Sequence, residues 1–220
     1  MKKILLILSA LTVSVFTANA AVVGLFNTGV NLNGVGLLTY PNTDSHYGLT
    51  IPSTCCAPDG TPTSPVVVNS GVGIYPANNG TWVSDASSLA SQWVGPVPNF
   101  NSNGSAPSNL NGLFTYSLAV TAGGGETVTG RWTSDNNSCI ALNSVVSSIN
   151  CIGLADFNKW TPFSIGGFTG GANTIQFQVN NISGPTGLRV EFDNIPEPNS
   201  LLLLLSGLTG FGFLLRRART

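Results

Sequence analysis

Charge is scarce in this 220-residue chain, at 8% of residues, and positive charge is scarcest in its middle. Of the eight lysines and arginines, Lys2, Lys3, Arg216, Arg217 and Arg219 sit at the two ends. The long stretch between keeps only Arg131, Lys159 and Arg189, against eight acids, which leaves it near −5 where the whole chain shows −1. No basic patch is available to neutralise phosphates, so nucleic acid is excluded as a partner. His46 is the only histidine, which rules out a two-histidine metal site. The four cysteines lack the tight C-x-x-C spacing of a preformed zinc site, and no Gly-x-Ser-x-Gly nucleophile elbow occurs. Nothing calls for a metal or a cofactor. Runs of Leu, Ala, Glu and Lys are missing from the middle as well, so helical signals there are poor.

What is present first declares itself at the ends. Lys2-Lys3 precedes an apolar stretch from Ile4 to Val15, and Ala18-Asn19-Ala20 gives the small-x-small exit that a signal peptidase requires. Residues 1–20 therefore read as a secretory signal peptide, with cleavage after Ala20. At the other end Pro196-Glu197-Pro198-Asn199 precedes an uncharged apolar run from Ser200 to Leu215, closed by Arg216-Arg217-Ala218-Arg219. As a helix that run would span about 24 Å, short of a full hydrocarbon core but suited to a thin bilayer or a transient anchor. The arginines would stay cytoplasmic, leaving residues 21–195 outside.

The three parts of that tail, in this order, resemble the PEP-CTERM sorting signal of exported Gram-negative proteins. The resemblance covers residues 196–220 and rests on Pro196, Glu197, Pro198, the apolar run, and Arg216 with Arg217. It implies recognition by an exosortase-type membrane enzyme, processing near the Pro-Glu-Pro, and delivery to the cell surface or an exopolysaccharide matrix. A plain transmembrane anchor is the alternative reading of the same residues.

Residues 21–195 have the length of one domain with a sizeable core. Alternation is their main signal. Phe114-Thr-Tyr116-Ser-Leu118-Ala-Val120, Ile175-Gln-Phe177-Gln-Val179 and Leu188-Arg-Val190-Glu-Phe192 each place large apolar residues on one face and polar ones on the other. Residues 127–132 and 140–142 are further strand candidates, as are 66–68 and 71–75 among the prolines of the first half. Turn signals such as Gly123-Gly124-Gly125, Asp135-Asn136-Asn137 and Ser183-Gly184-Pro185 separate them. One wet face per strand points to an all-β fold, an antiparallel β-sandwich or jelly roll. Leu25–Val30, Asp44–Leu49, Gly130–Asn136 and Gly184–Val190 resemble pieces shared by uncharacterised PEP-CTERM proteins. That likeness implies a galactose-binding-like jelly roll and a carbohydrate-facing module, an analogy of fold that does not fix function.

In an exported chain the cysteines should be oxidised. Cys139–Cys151 is the pairing the spacing favours; Cys55 and Cys56 can bridge each other through a strained ring or seek the other two. For a glycan, the candidate ligand-binding residues are Trp82 and Trp93 in a polar, turn-rich stretch, with Arg131, Asp135 and Arg189 as hydrogen-bonding partners. Satellite packing beneath loops is the favoured reading of both tryptophans, with the ligand platform its alternative, and a turn is the plain reading of Asp135. Arg131 and Arg189 lie opposite the apolar face of their strands, and Glu191 shares that face, so an ionic ladder worth a few tenths of a kcal/mol is the plain reading. Trp132, in phase with Val128, belongs to the core. His46 and Tyr47 begin a strand behind a turn capped by Asp44 or Ser45.

The expectation is an exported, non-catalytic surface or matrix protein, with glycan binding its most concrete form and exopolysaccharide the glycan in view. A polysaccharide-acting hydrolase is the alternative. Two carboxylates facing across a groove would favour the enzyme, and an exposed tryptophan without such a pair would favour binding.

Overall fold

The computed structural model describes residues 22–53, 55, 62–68, 82–84, 87–88, 90–98, 110–193 and 195. The signal peptide, the strand expected at 71–75, the pairing of Cys56, and the sorting tail with its expected helix lie outside the described residues. Among the described residues no helix is long and apolar enough to cross a membrane.

Among the described residues ten strands form two five-stranded sheets. They are β1 (Tyr47–Thr50), β2 (Val66–Val67), β3 (Val94–Gly95), β4 (Gly112–Ala122), β5 (Thr127–Asp135), β6 (Asn137–Leu142), β7 (Val145–Ile152), β8 (Thr161–Gly166), β9 (Gly171–Asn181) and β10 (Gly187–Phe192). The first sheet runs β1-β4-β9-β6-β7 and the second β2-β3-β10-β5-β8. Every pairing is antiparallel. The expected β-sandwich is what forms. From β4 onward each connection crosses to the opposite sheet, except the β6–β7 hairpin. Period-two sequences allow this, because each strand offers one apolar face to a partner sheet.

The core lies between the sheets. Phe114, Tyr116, Leu118 and Val120 of β4, Ile175, Phe177 and Val179 of β9, and Ile140 of β6 meet Val128 and Trp132 of β5, Phe163 and Ile165 of β8, and Leu188, Val190 and Phe192 of β10. Phe163 lies edge-on to both Phe177 and Phe192, with ring centroids 6.3 and 5.6 Å apart, the offset geometry that aromatic quadrupoles prefer. Gly130 makes room for it. A Cβ at that position would lie 2.2 Å from the Glu191 carbonyl oxygen and 2.6 Å from Phe163 Cζ.

Two strands differ from the sequence reading. Val145–Ile152, expected as the loop closed by a disulfide, is the edge strand β7, and Thr161–Gly166 is the edge strand β8. Both are hard to see in the chain. β7 exposes most of its residues and carries a bulge opposite Ile140, which breaks its alternation. Pro162 sits in β8 at the sheet edge, where a missing N–H costs no ladder bond.

Cys139 and Cys151 are disulfide-bonded across the β6–β7 pair, with Cα atoms 4.1 Å apart. Cys55 is disulfide-bonded as well, to a partner outside the described residues. With a sequence separation of 12, the Cys139–Cys151 bridge is expected to contribute about 2–3 kcal/mol by restricting the unfolded chain. Urea denaturation of the Cys139→Ser/Cys151→Ser variant should show that loss. An unchanged midpoint would mean that the β6–β7 hairpin is held by its ladder alone.

Candidate functional site

The outer face of the second sheet brings together residues that the sequence scatters over more than 100 positions. On β10, Leu188, Val190 and Phe192 point to the core, so Gly187, Arg189 and Glu191 point outward. They do not meet water, because the segment around 82–93 lies across them, and all six residues of β10 are buried. The charged outer face expected at Arg189 and Glu191 is therefore a second buried layer.

Arg189 holds that layer down. Its Nε donates to Ser91 Oγ at 2.8 Å, Nη1 to the carbonyls of Val83 and Ser84 at 3.3 and 3.1 Å, and Nη2 to those of Ser88 and Ser91 at 3.1 and 2.9 Å. Every one of these acceptors belongs to the covering segment. A guanidinium suits the task because its five N–H groups diverge in a fixed plane. Ser91 Oγ then donates to Glu191 Oε1 at 2.7 Å, and Arg131 binds Glu191 Oε2 through Nε at 2.7 Å and Nη2 at 2.6 Å. Burial alone would raise the Glu191 pKa; hydrogen bonds from Ser88, Ser91 and Arg131 outweigh it and hold the carboxyl below its ordinary value.

Trp82 and Trp93 lie under the same segment. Their rings lie tilted against each other, with centroids 4.2 Å apart, over Gly187, where a Cβ would come within 3.1 Å of Trp82 and 3.2 Å of Trp93. Each is 1% exposed, and each indole N–H is satisfied internally, Trp82 by Asp135 Oδ2 at 2.8 Å and Trp93 by the Val83 carbonyl at 2.9 Å. Neither offers a face to a ligand, so both take the packed position and not that of a ligand platform. Asp135, the last residue of β5, is buried where the chain crosses from one sheet to the other. Its carboxyl faces inward, bonded by Trp82 and by Asn136 Nδ2 at 2.5 Å. Burial, the larger effect, pushes its pKa up to about 7 against those two bonds.

The surface of this cluster joins the candidate Arg131 to Trp160 and Lys159, which are not among the sequence candidates. Trp160, half-buried just before β8, has the Arg131 guanidinium 4.5 Å and that of Arg189 5.1 Å from its ring centroid, within cation–π range. Its indole N–H reaches Ser87 Oγ at 3.3 Å. The Arg131 side chain is 42% exposed. Beside Trp160 in the chain, Lys159 is 63% exposed and pairs with Asp156 at 2.7 Å. Arg131 and Arg189 thus meet at Trp160, with Lys159 its neighbour in the chain. Only the neighbour relation Lys159-Trp160 was visible in the chain.

His46 has a structural place. Its Nδ1 lies 3.1 Å from Asp44 Oδ1, its ring stacks on Phe26 at 3.8 Å, and Asp44 also accepts the Gly29 and His46 amides. Among the described residues no group of three or more His, Cys, Asp or Glu could hold a metal ion.

A second concavity lies at the side of the sandwich, between the edge strands β7 and β8. Its volume is about 540 Å³. Ile140, Leu142 and Ile165 line its depth, and Val145, Val146 and Ile149 its β7 side. At this seam the Asn150 amide stitches the sheets, donating to the Ser164 carbonyl at 2.8 Å and accepting the Ser164 N–H at 3.3 Å.

Residues 194–219 match the family model of the PEP-CTERM protein-sorting motif. The motif indicates export in Gram-negative bacteria, association with the cell surface, and processing by an exosortase. No curated protein matches the chain. Among solved structures, a family 35 carbohydrate binding module from an environmental isolate is similar at 11% identity, over 43% of this chain and 77% of that one, with a TM-score of 0.29. A likeness at that score carries no argument about fold or ligand.

Two outcomes follow from this geometry. Arg189→Met removes five hydrogen bonds to the covering segment and should cost at least about 3 kcal/mol. Iodide should then quench Trp82 and Trp93, whereas Arg131→Gln, at the exposed rim, should cost about 1 kcal/mol and leave both protected. Equal effects of the two substitutions would contradict the clamp. For Asp135 the folded-state pKa lies above the unfolded one, so its contribution is full below about pH 4 and is lost as pH rises through 7. At about 1.4 kcal/mol per unit, the loss is about 4 kcal/mol at most. Thermal unfolding between pH 4 and 8.5 should show it, and Asp135→Asn should flatten the curve over that window. A variant that keeps the full slope would assign it to another group.

Proposed function

We propose that this exported protein is a non-catalytic, surface-held glycan-binding module whose binding ledge is formed by Trp160, Arg131 and Lys159. The sorting motif at 194–219 carries the reading, because it puts the body where envelope or matrix polysaccharide is the abundant partner. The ledge supports it chemically. Sugars are bound by aromatic faces against C–H surfaces and by charged donors to their hydroxyls. Trp160 is half-buried beside two exposed donors. Before processing, the uncharged run from Ser200 to Leu215 holds the protein at the membrane.

The state of four of the described carboxylates supports a non-catalytic role. Asp44 and Asp135 are buried and bonded, Glu191 is held by Ser91 and Arg131, and Asp156 is paired with Lys159 and bonded to the Gly153 amide. A glycosidase needs two carboxyls about 5–9.5 Å apart with a sugar between them, one carrying a raised pKa. Asp135 has the raised pKa but faces Trp82 in the interior.

Full-chain protein from the producing cells should bind the organism's exopolysaccharide saturably without releasing reducing ends. Trp160→Ala and Lys159→Ala should each weaken that binding, the first by about tenfold or more, equivalent to about 1.4 kcal/mol. Binding indifferent to both variants would remove the ledge. New reducing ends would turn the case to a hydrolase.

A further inference from the structure

We propose that the uncharged rim between β7 and β8 is a lipid-contacting surface, pressed into the bilayer interface while the sorting tail is still membrane-held. This rests on the proposal that residues 200–215 anchor the chain before processing; it adds that the folded body takes part and names the face.

Three observations converge on that face. The first is its chemistry. None of the residues lining the cleft is charged, and none is aromatic. Val145, Val146 and Ile149 are 73%, 49% and 84% exposed on one eight-residue strand, an aliphatic patch over an aliphatic floor. Such a surface neither stacks on sugars nor pairs with ions, and contiguous exposed apolar surface marks a contact with protein or membrane.

The second is where the described chain ends. After β10, the Asp193 amide bonds to the Thr129 carbonyl at 3.0 Å. Thr129 is opposite Ser164 across the β5–β8 ladder, and Ser164 lines the cleft. With strands about 4.8 Å apart, the chain leaves the body about 10 Å from that rim, two strands across. The turn of the β6–β7 hairpin at Asn143-Ser144 belongs to the same end, since the Asn143 amide bonds to the Thr174 carbonyl beyond Leu142 and Ile175.

The third is the length of the tether. Ile195 packs against the core, and only residues 196–199 separate it from the apolar run. Four residues reach about 14 Å when extended. A tail in the bilayer therefore keeps this end of the sandwich at the headgroups. The charged groups closest to the exit along the chain and the β5–β10 ladder are Glu126, Asp193 and the ion-paired Glu191 and Arg131, with Glu197 in the tether. None of them lines the cleft. In a body near −5, an uncharged apolar rim is the face that meets an anionic leaflet with least repulsion.

The test uses full-chain protein in phosphatidylethanolamine/phosphatidylglycerol vesicles, with an environment-sensitive fluorophore on Ser148→Cys at the rim or on Ser183→Cys in the β9–β10 turn at the opposite end. The label at 148 should shift to the blue and be quenched by nitroxide placed about 5–10 Å below the headgroups. The label at 183 should report water. Ile149→Glu with Val145→Glu should abolish the shift at 148 while the protein still floats with the vesicles. Flotation with both labels in water would overturn the inference and leave the anchor standing. Failure to float would overturn the anchor and this inference with it. A shift at 148 that grows with protein concentration and resists lipid quenching would replace the bilayer by a second copy of the chain.

Discussion

A single buried guanidinium organises the half of this molecule that a β-sandwich does not explain. Two sheets with apolar inner faces would stand without Arg189. Their outer faces would then be wet, as in most antiparallel sandwiches. Here Arg189 sits on the outer face of a central strand and can be buried only because the covering segment supplies oxygens along its whole fork. The dependence is mutual. The segment has little regular structure of its own among its described residues, so its carbonyls need the arginine as much as the arginine needs them.

Several features follow from that layer. Trp82 and Trp93 find a dry site against Gly187, where any side chain on β10 would push them away. Glu191 can be buried beside Arg189 because Ser91 and Arg131 satisfy both its oxygens. Asp135 receives the Trp82 indole, which ties the crossing between sheets to the same segment. Trp160 closes the edge of the cluster and leaves a partly exposed aromatic among the only cations of the body. The candidate ledge is thus the visible rim of a structural device, rigid because what lies beneath it is fully bonded.

The edge of the sandwich between β7 and β8 obeys a different constraint. There the edge strands β7 and β8 are joined by one Asn150 amide, and the sheets leave an uncharged opening lined by aliphatic side chains. The body therefore has two unlike faces, one polar and bonded, one apolar and open. The tail leaves beside the apolar one.

The sequence by itself determined the sandwich and the sorting tail, and it favoured the Cys139–Cys151 bridge without fixing it. Alternation over 114–120, 175–179 and 188–192 is local, the tail is a linear signal, and the bridge lies within one hairpin. It also yielded the count of three cations, but not that Arg131 and Arg189 meet at Trp160. Tertiary structure alone decided which faces are wet. Arg189 reads as exposed in any period-two analysis, since alternation tells one face of a strand from the other but not whether a distant segment covers it. The same gap left open the burial of Trp82, Trp93 and Asp135, whose partners lie 53 or more residues away or in the tilted pair over Gly187. It also hid Trp160, which gains its meaning from Arg131 and Arg189. Burial of a polar face is a long-range property, set by whether another part of the chain can satisfy each donor and acceptor, and no local pattern records it.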